Sequence, residues 1–392
     1  MRYASVTQAL AGLGSEKWVL SATASARIRA GHPIINMTIG EPDVPTPDDL
    51  KEVAISAMRA GRTGYSNGRG ETALLDALSK RYTAQLGRAF GPDRFLCLPG
   101  TQTSLYLVLR SLCDPGDEVI LGDPMYATYE GLIRAAGAVP VPVALRPDLR
   151  FRLQASDVEE KITDRTRVIF LNTPHNPTGA ILLPQDLRAL HELAAKHDLW
   201  VLSDEVYGDI THDGRPFTSA LADPAFEDRT IITASISKSH AAPGFRSGWA
   251  AGPAEFCKRA LPLSETMLFG SQPFIADMTA VAVAQEPTLA RAMAARMAHR
   301  ARIIEEELHG VAGMKVHRPD AGMFALIDIR ALSSDSRAFA LDLLARTDVA
   351  MMPGSSFGAA LEGWLRVALN ASDADTREAC VRLRAHALRN AA

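Results

Sequence analysis

Four short polar motifs contain residues that could bind an anion and move protons. They are Gly-Thr-Gln at 100–102, Asn-Pro-Thr-Gly at 176–179, Ser-Asp-Glu-Val-Tyr at 203–207, and Ser-Ile-Ser-Lys followed by Gly-Phe-Arg at 235–238 and 244–246. Lys238 supplies an amine that can act as nucleophile or base, and Asp204 supplies a carboxylate. Each motif alone is weak, because Asn-Pro-Thr-Gly is a common turn and an aspartate after a strand often caps a helix. Their meaning depends on whether the fold brings them together.

The elements that must position these motifs alternate between strand-like and helix-like segments from about residue 50 to residue 285. Strands are predicted at 95–98, 118–121, 168–171, 199–203, 231–234 and 249–251. A helix is predicted over 187–197, where leucines repeat on one face. This alternation predicts an α/β fold with a mainly parallel sheet covered by helices.

The motifs fall where the predicted strands end. Gly100 follows the first strand, Asn172 begins the segment after the third, Asp204 follows the fourth, and Ser235 follows the fifth. Active sites of parallel sheets lie at the carboxyl ends of their strands. We therefore expect the four motifs to meet at one edge of the sheet.

The pattern of predicted helices and strands changes near residue 286, which predicts a second, smaller α+β domain. A long helix comes first, followed by short strands near 323–329 and 364–368 and a final helix. We expect a large domain of residues 48–285 and a small domain of residues 1–47 and 286–392.

The composition, with 22% charged and 47% hydrophobic residues among 392, is typical of a soluble globular protein. A net charge of −3 gives no electrostatic reason to expect nucleic acid or a membrane as partner. The four cysteines are scattered without metal-ligand spacing, and the first thirty residues lack an apolar stretch. We expect a cytoplasmic protein with reduced thiols and no metal site.

Taken in order, the motifs resemble those of the fold-type I pyridoxal-phosphate (PLP) enzymes, specifically the class I/II aminotransferases related to aspartate aminotransferase. The resemblance runs from about Asn36 to Ala368 and includes Gly-Glu-Pro at 40–42 and Gly-Tyr-Ser at 64–66. It implies pyridoxal 5'-phosphate as cofactor. It also implies amino-group transfer from an L-amino acid to a 2-oxo acid by a ping-pong cycle.

The resemblance assigns a role to each polar residue around the cofactor ring. Lys238 would hold PLP as a Schiff base and then act as the catalytic base. Asp204 would keep the pyridine nitrogen protonated, because an adjacent opposite charge favours the charged form. Asn176 and Tyr207 would hydrogen-bond the phenolic oxygen, and Tyr126 would stack on the ring.

The resemblance also implies a phosphate site at the start of a helix. The backbone amides of Thr101 and Gln102 would donate to the phosphate, aided by the helix dipole. Ser235 and Ser237 would add hydroxyls, and Arg246 a charge-assisted pair. For Ser237, shaping the loop is the alternative.

A homodimer with shared active sites follows from the same resemblance. Tyr65 would reach the phosphate of the neighbouring subunit, with simple packing at an interface as the alternative.

For the substrate, the resemblance points to Arg366 in Trp-Leu-Arg-Val-Ala, which would clamp the α-carboxylate through a bidentate fork. Asn176 would border the same group. The backbone of Gly40 would approach the carboxylate, although a turn explains this glycine equally well.

Three departures from the family pattern bear on the site. Pro243 replaces a threonine before Gly-Phe-Arg, which removes a backbone donor and a hydroxyl. Gln102 stands where bacterial aspartate-specific relatives often carry a lysine for the distal carboxylate. Trp18 stands where they carry a threonine. We expect Trp18 to border the substrate by stacking on a long side chain or a guanidinium, with a core or interface aromatic as the alternative.

A neutral amide and a bulky indole are a poor arrangement for a second carboxylate, so we expect a neutral or basic donor. The segments 1–3, 16–18 and 237–240 look closest to arginine–pyruvate transaminases, which makes arginine a candidate donor and pyruvate a candidate acceptor.

Other functions remain open on the same scaffold. They are a carbon–sulfur β-lyase, a decarboxylase and an aspartate-preferring aminotransferase. A PLP-sensing regulator is disfavoured, because such proteins carry a DNA-binding module before this domain and only about forty residues precede the Gly-Glu-Pro segment here.

Overall fold

The computed structural model describes residues 1–390, and Ala391 and Ala392, the end of the predicted small domain, lie outside that range. Two sheets organise the chain. The larger has seven strands in the order β2-β8-β7-β6-β5-β3-β4. They are β2 (Phe95–Leu98), β3 (Glu118–Asp123), β4 (Val139–Ala144), β5 (Thr166–Asn172), β6 (Trp200–Asp204), β7 (Thr230–Ser235) and β8 (Gly248–Ala251).

Most neighbouring strands of this sheet are parallel. The pairs β3·β4, β3·β5, β5·β6 and β6·β7 are parallel, whereas β8 runs antiparallel to both β2 and β7. Residues 168–171 of β5 are all buried, as expected for a central strand covered on both faces. The predicted mainly parallel α/β fold is confirmed.

The smaller sheet has five strands in the order β1-β11-β12-β10-β9. β1 pairs parallel with β11, and the other neighbouring pairs are antiparallel. The strands are β1 (Ile35–Met37), β9 (Lys315–His317), β10 (Phe324–Asp328), β11 (Val349–Pro353) and β12 (Trp364–Ala368).

Helices cover the large sheet and flank the small one. In chain order they are α1 (Ser5–Ala9), α2 (Val19–Arg29), α3 (Asp48–Arg59), α4 (Thr72–Leu86), α5 (Gly100–Leu112), α6 (Tyr129–Ala135), α7 (Ala155–Glu159), α8 (Pro184–Lys196), α9 (Ile236–Ser239), α10 (Ala254–Leu268), α11 (Pro273–Ala284), α12 (Thr288–Leu308), α13 (Ser336–Thr347) and α14 (Asp373–Asn390). The boundaries of the two predicted domains stay a prediction.

The sequence patterns missed β4, the edge strand of the large sheet. Its sequence alternates valine with Pro140 and Pro142, and proline normally argues against a strand because it cannot donate to the ladder. Among the described strands β4 pairs only with β3, so its other edge needs no hydrogen-bond donors.

Within residues 1–390, no helix has the combination of length and apolar composition that spanning a membrane requires.

Candidate active site

A cavity of about 240 Å³ opens at the carboxyl-terminal edge of the large sheet. The ends of β6 and β7, the loop after β5 and the first turn of α5 contribute to its wall, because parallel strands end at the same edge. The predicted residues that line it are Gly40, Thr101, Gln102, Tyr126, Asn176, Asp204, Tyr207, Ser235, Ser237, Lys238 and Arg246. The fold therefore brings together residues that lie far apart in the sequence.

Lys238 lies on α9, the short helix that follows β7. Its Nζ donates a hydrogen bond to the Gly40 carbonyl oxygen at 2.7 Å. Burial lowers the pKa of Lys238 to about 8; the charge of Glu41 opposes this shift and the Arg366 guanidinium adds to it. A lysine with this pKa is neutral for a substantial fraction of the time near pH 8, as a nucleophile or base requires.

Asp204 is buried at the end of β6 with both carboxylate oxygens engaged. Oδ2 accepts a hydrogen bond from the Tyr129 hydroxyl at 2.7 Å, and Oδ1 accepts one from the Val206 amide at 3.1 Å. Burial raises the pKa of Asp204 to about 6, while these two hydrogen bonds act in the opposite direction. The carboxylate is thus held in one orientation.

Tyr129 was not among the predicted site residues. It is the first residue of α6 and lines the cavity beside Tyr126, with the two ring centroids 5.5 Å apart. The (i, i+3) spacing of two tyrosines at a helix start after a strand was the available sequence signal.

Arg366 lies on β12 of the small sheet and is 1% exposed. Its Nη1 donates to Asn176 Oδ1 at 3.3 Å, and its Nη2 donates to the Thr38 carbonyl oxygen. Its Nε has no hydrogen-bond partner, and no carboxylate among the described residues forms an ion pair with it. Burial lowers the pKa of Arg366 to about 9. A buried cation without a counter-charge is costly, which favours an anionic ligand at this position.

Asn176 connects this arginine to Tyr207. Its Nδ2 donates to the Tyr207 hydroxyl at 3.4 Å, while its own backbone amide donates to Asn172 Oδ1 at 2.8 Å. Burial raises the pKa of Tyr207, so its hydroxyl stays protonated. Asn172 was not predicted, and it fixes the loop that carries Asn176.

Arg246 faces the start of α5 at the other end of the cavity. A Cβ added to Gly100, whose φ is +81°, would lie 2.4 Å from Arg246 Nη2. Glycine therefore gives the guanidinium room beside the free amides of the first helical turn. The backbone carbonyl oxygen of Pro243 accepts a hydrogen bond from Arg246 Nη1 at 3.0 Å. Thr101 Oγ1 is buried there without a hydrogen-bond partner among residues 1–390.

Tyr65 and Trp18 do not line the cavity of this chain. Tyr65 is 89% exposed, and its ring centroid lies 4.7 Å from that of Phe269. Trp18 is partly buried and meets the ring of Phe357 edge-on at 6.4 Å. Their predicted roles stay predictions.

The fold and the site together are those of an amino-group transferase. The sequence matches the family "Aminotransferase class I and II" over residues 32–383, and the chain belongs to this family, whose enzymes use pyridoxal phosphate.

Individual relatives agree with this assignment. The chain is 41% identical to an arginine–pyruvate transaminase of Pseudomonas aeruginosa, over 98% of this chain and 97% of that protein. It is 32% identical to an aspartate aminotransferase of Geobacillus stearothermophilus, over 84% of this chain and 86% of that protein. The solved aspartate aminotransferase of Rhizobium meliloti superimposes with a TM-score of 0.92 at 28% identity, covering 99% of each chain. The protein is an amino acid aminotransferase, as predicted.

Proposed function

We propose that this aminotransferase binds PLP in the cavity and moves an amino group from a neutral or basic L-amino acid to a 2-oxo acid. Arginine is the leading candidate donor and pyruvate the leading candidate acceptor. The observation that carries the proposal is Arg366, a buried guanidinium with no carboxylate partner among the described residues. It contacts Asn176 and Phe324 in the wall of the cavity that contains Lys238.

The residues of the cavity fit PLP by charge and by hydrogen-bonding capacity. The first turn of α5, the hydroxyls of Ser235 and Ser237, and Arg246 form a donor-rich end suited to a phosphate. Asp204 is a buried carboxylate suited to a protonated pyridine nitrogen. Lys238 supplies the amine for covalent attachment. When bound, PLP supplies an electrophilic carbon and a ring that accepts electrons.

The protein groups would then orient the substrate and move its protons. Arg366 would bind the α-carboxylate in its free guanidinium edge, since charge-assisted forks are strong and directional. That contact places the α-carbon toward Lys238, whose Nζ would take and return the α-proton. Tyr207 and Asn176 would hold the phenolic oxygen of the cofactor.

The charges around the cavity support a donor without a second carboxylate. Gln102, which stands where aspartate-specific relatives often carry a lysine, is neutral, and the exposed Glu41 carboxylate also lines the cavity. Glu41 would repel a distal carboxylate and attract a distal cation. The similarity to an arginine–pyruvate transaminase also supports arginine as the donor. The similarity to aspartate aminotransferases favours aspartate instead.

A substrate comparison tests this choice. With pyruvate as common acceptor, we expect kcat/KM for arginine to exceed that for aspartate by at least about tenfold, or roughly 1.4 kcal/mol in transition-state binding. Alanine and glutamate complete the panel, with formation of each 2-oxo acid as the readout. A tenfold preference for aspartate would overturn the donor class and leave the transaminase assignment intact. Release of carbon dioxide or of a thiol instead of transamination would indicate the lyase or decarboxylase alternative.

We also propose that the working unit is a homodimer in which Tyr65 serves the neighbouring active site. The support is the exposure of two large aromatic side chains that touch each other, Tyr65 at 89% and Phe269 at 62%, which is unusual for a free surface.

Mixing a Lys238 variant with a Tyr65 variant tests this arrangement. We expect Tyr65→Phe to weaken PLP binding by several-fold through loss of one hydrogen bond of about 1 kcal/mol. A mixture of Lys238→Ala and Tyr65→Ala subunits should regain activity, because one hybrid site in each mixed dimer carries both native residues. Absence of any regain, with subunit exchange verified by mass spectrometry, would show that Tyr65 acts within its own chain.

A further inference from the structure

The guanidinium of Arg366 lies between two aromatic rings. Its Cζ is 3.9 Å from the ring centroid of Phe324 and 4.1 Å from that of Phe357. Phe324 is 3% exposed and Phe357 is 0% exposed, so neither ring is free to move away into solvent. Two buried rings therefore lie against the cation, and its N–H groups remain for hydrogen bonding.

We propose that Phe324 and Phe357 are positioning residues that fix the plane of the Arg366 guanidinium for the substrate carboxylate. The proposal rests on the proposed function, in which Arg366 binds that carboxylate. Phe324 lies on β10 and Phe357 lies in the turn after β11. These two strands flank β12, the strand that carries Arg366, on either side. Since fork-shaped recognition requires coplanar groups, holding the plane in advance removes an ordering cost from substrate binding.

The rings also explain how Arg366 is kept in place before substrate arrives. Two acceptors, Asn176 Oδ1 and the Thr38 carbonyl oxygen, occupy part of its edge, and Nε has no partner within the part of the chain that the structure describes. No carboxylate among the described residues pairs with Arg366, so the electron-rich ring faces add to these two hydrogen bonds in stabilising the cation.

Gly40 acquires a specific role in this arrangement. A Cβ added to Gly40 would lie 2.2 Å from Cζ of Phe324, although the backbone of Gly40 does not have a positive φ. The absence of a side chain at Gly40 is therefore required by the Phe324 ring and not by a turn. An alanine here would push that ring against Arg366.

Trp18 is connected to Arg366 through one of these two rings, that of Phe357. Its indole packs edge-on against Phe357, which in turn covers Arg366. The structure thus assigns Trp18 an indirect role, in which it supports the ring that orients the guanidinium.

The test replaces each ring with leucine, which is apolar and of similar size but has no aromatic face. In the PLP-loaded enzyme we expect Phe324→Leu and Phe357→Leu to raise KM for the amino acid about tenfold, roughly 1.4 kcal/mol. We expect kcat to change by less than about threefold, because the groups that move protons are untouched. PLP affinity, read from the cofactor absorbance, should stay at the parent value. Phe339→Leu is the matched control, since Phe339 is a buried phenylalanine of α13 that packs on His386.

A second substrate separates positioning from general packing. The decarboxylated amine of the same donor lacks the group that Arg366 binds, so its single-turnover rate should be the same in the parent and in the leucine variants. The proposal would be overturned if the leucine variants lost as much activity with the amine as with the amino acid. It would also be overturned if Phe339→Leu raised KM for the amino acid as much as they do. An amino acid KM within about twofold of the parent in both variants would overturn it too, because this is less than a single hydrogen bond contributes.

Gly40→Ala gives an independent route if a leucine variant does not fold. We expect it to raise KM for the amino acid in the parent background and to add little in the Phe324→Leu background, because the obstructing ring is then absent. If Gly40→Ala raised KM by the same factor in both backgrounds, Gly40 would not act through the Phe324 ring. Failure of the parent enzyme to bind PLP or to transaminate would instead refute the proposed function and not this inference.

Discussion

Replacing Lys238 with alanine is expected to abolish turnover while leaving a folded protein that still holds PLP non-covalently. Removal of the base alone accounts for a loss of about 10²–10⁴-fold, and loss of the attachment amine adds to it. The remaining contacts of the phosphate and ring should retain the cofactor. The measurement is borohydride reduction of the loaded enzyme followed by peptide mapping. We expect the pyridoxyl label on Lys238 in the parent and in Lys258→Ala, a control at an exposed lysine, and no label in Lys238→Ala.

The pH dependence of attachment provides a second readout of the same lysine. The neutral amine is the nucleophile, and burial lowers the pKa of Lys238 to about 8. The rate of covalent PLP capture by the cofactor-free enzyme should therefore rise with pH between about 6 and 8 and level off above about 9. A label on a different lysine, or a capture rate that is flat across this range, would contradict the assignment.

Replacing Asp204 with alanine is expected to slow the proton-transfer step by at least about 10²-fold. Loss of a preorganised charge at a reacting centre typically costs about 3 kcal/mol or more. Asp204→Asn should show most of the same loss, because the amide keeps the shape and removes the charge. Stopped-flow absorbance of the cofactor with α-deuterated and protonated donor isolates this step.

The control for Asp204 is Asp209→Asn, five residues further along the chain. Asp209 pairs with Arg81 outside the cavity at 2.7 Å, so its removal should leave the proton-transfer rate near the parent value. A rate for Asp204→Ala within about tenfold of the parent would show that Asp204 does not pair with the ring nitrogen. Tyr129→Phe is a milder variant, since it removes the hydrogen bond to Asp204 Oδ2 and keeps both the carboxylate and the aromatic ring.

The sequence by itself determined the class of fold and most of the cavity wall. Residues such as Asp204 and Ser235 stand directly at the ends of apolar strands, and a parallel sheet aligns those ends at one edge whatever the details of packing. The strand β12 was predicted with the bounds that it has in the structure. For these features, the local pattern of apolar residues and the general geometry of a parallel sheet were sufficient to predict the positions of the strands and of the residues at their ends.

The tertiary structure alone decided which side chains touch across the fold. Tyr129 meets Asp204 from 75 positions away, and Arg366 lies between Phe324 and Phe357. In the sequence Phe324 and Phe357 look like ordinary core residues. Trp18 likewise has no local signal that would place it behind Phe357 and not in the cavity. The physical reason is that hydrophobic periodicity encodes whether a side chain is buried, whereas its partners are set by the packing of segments that are distant in sequence.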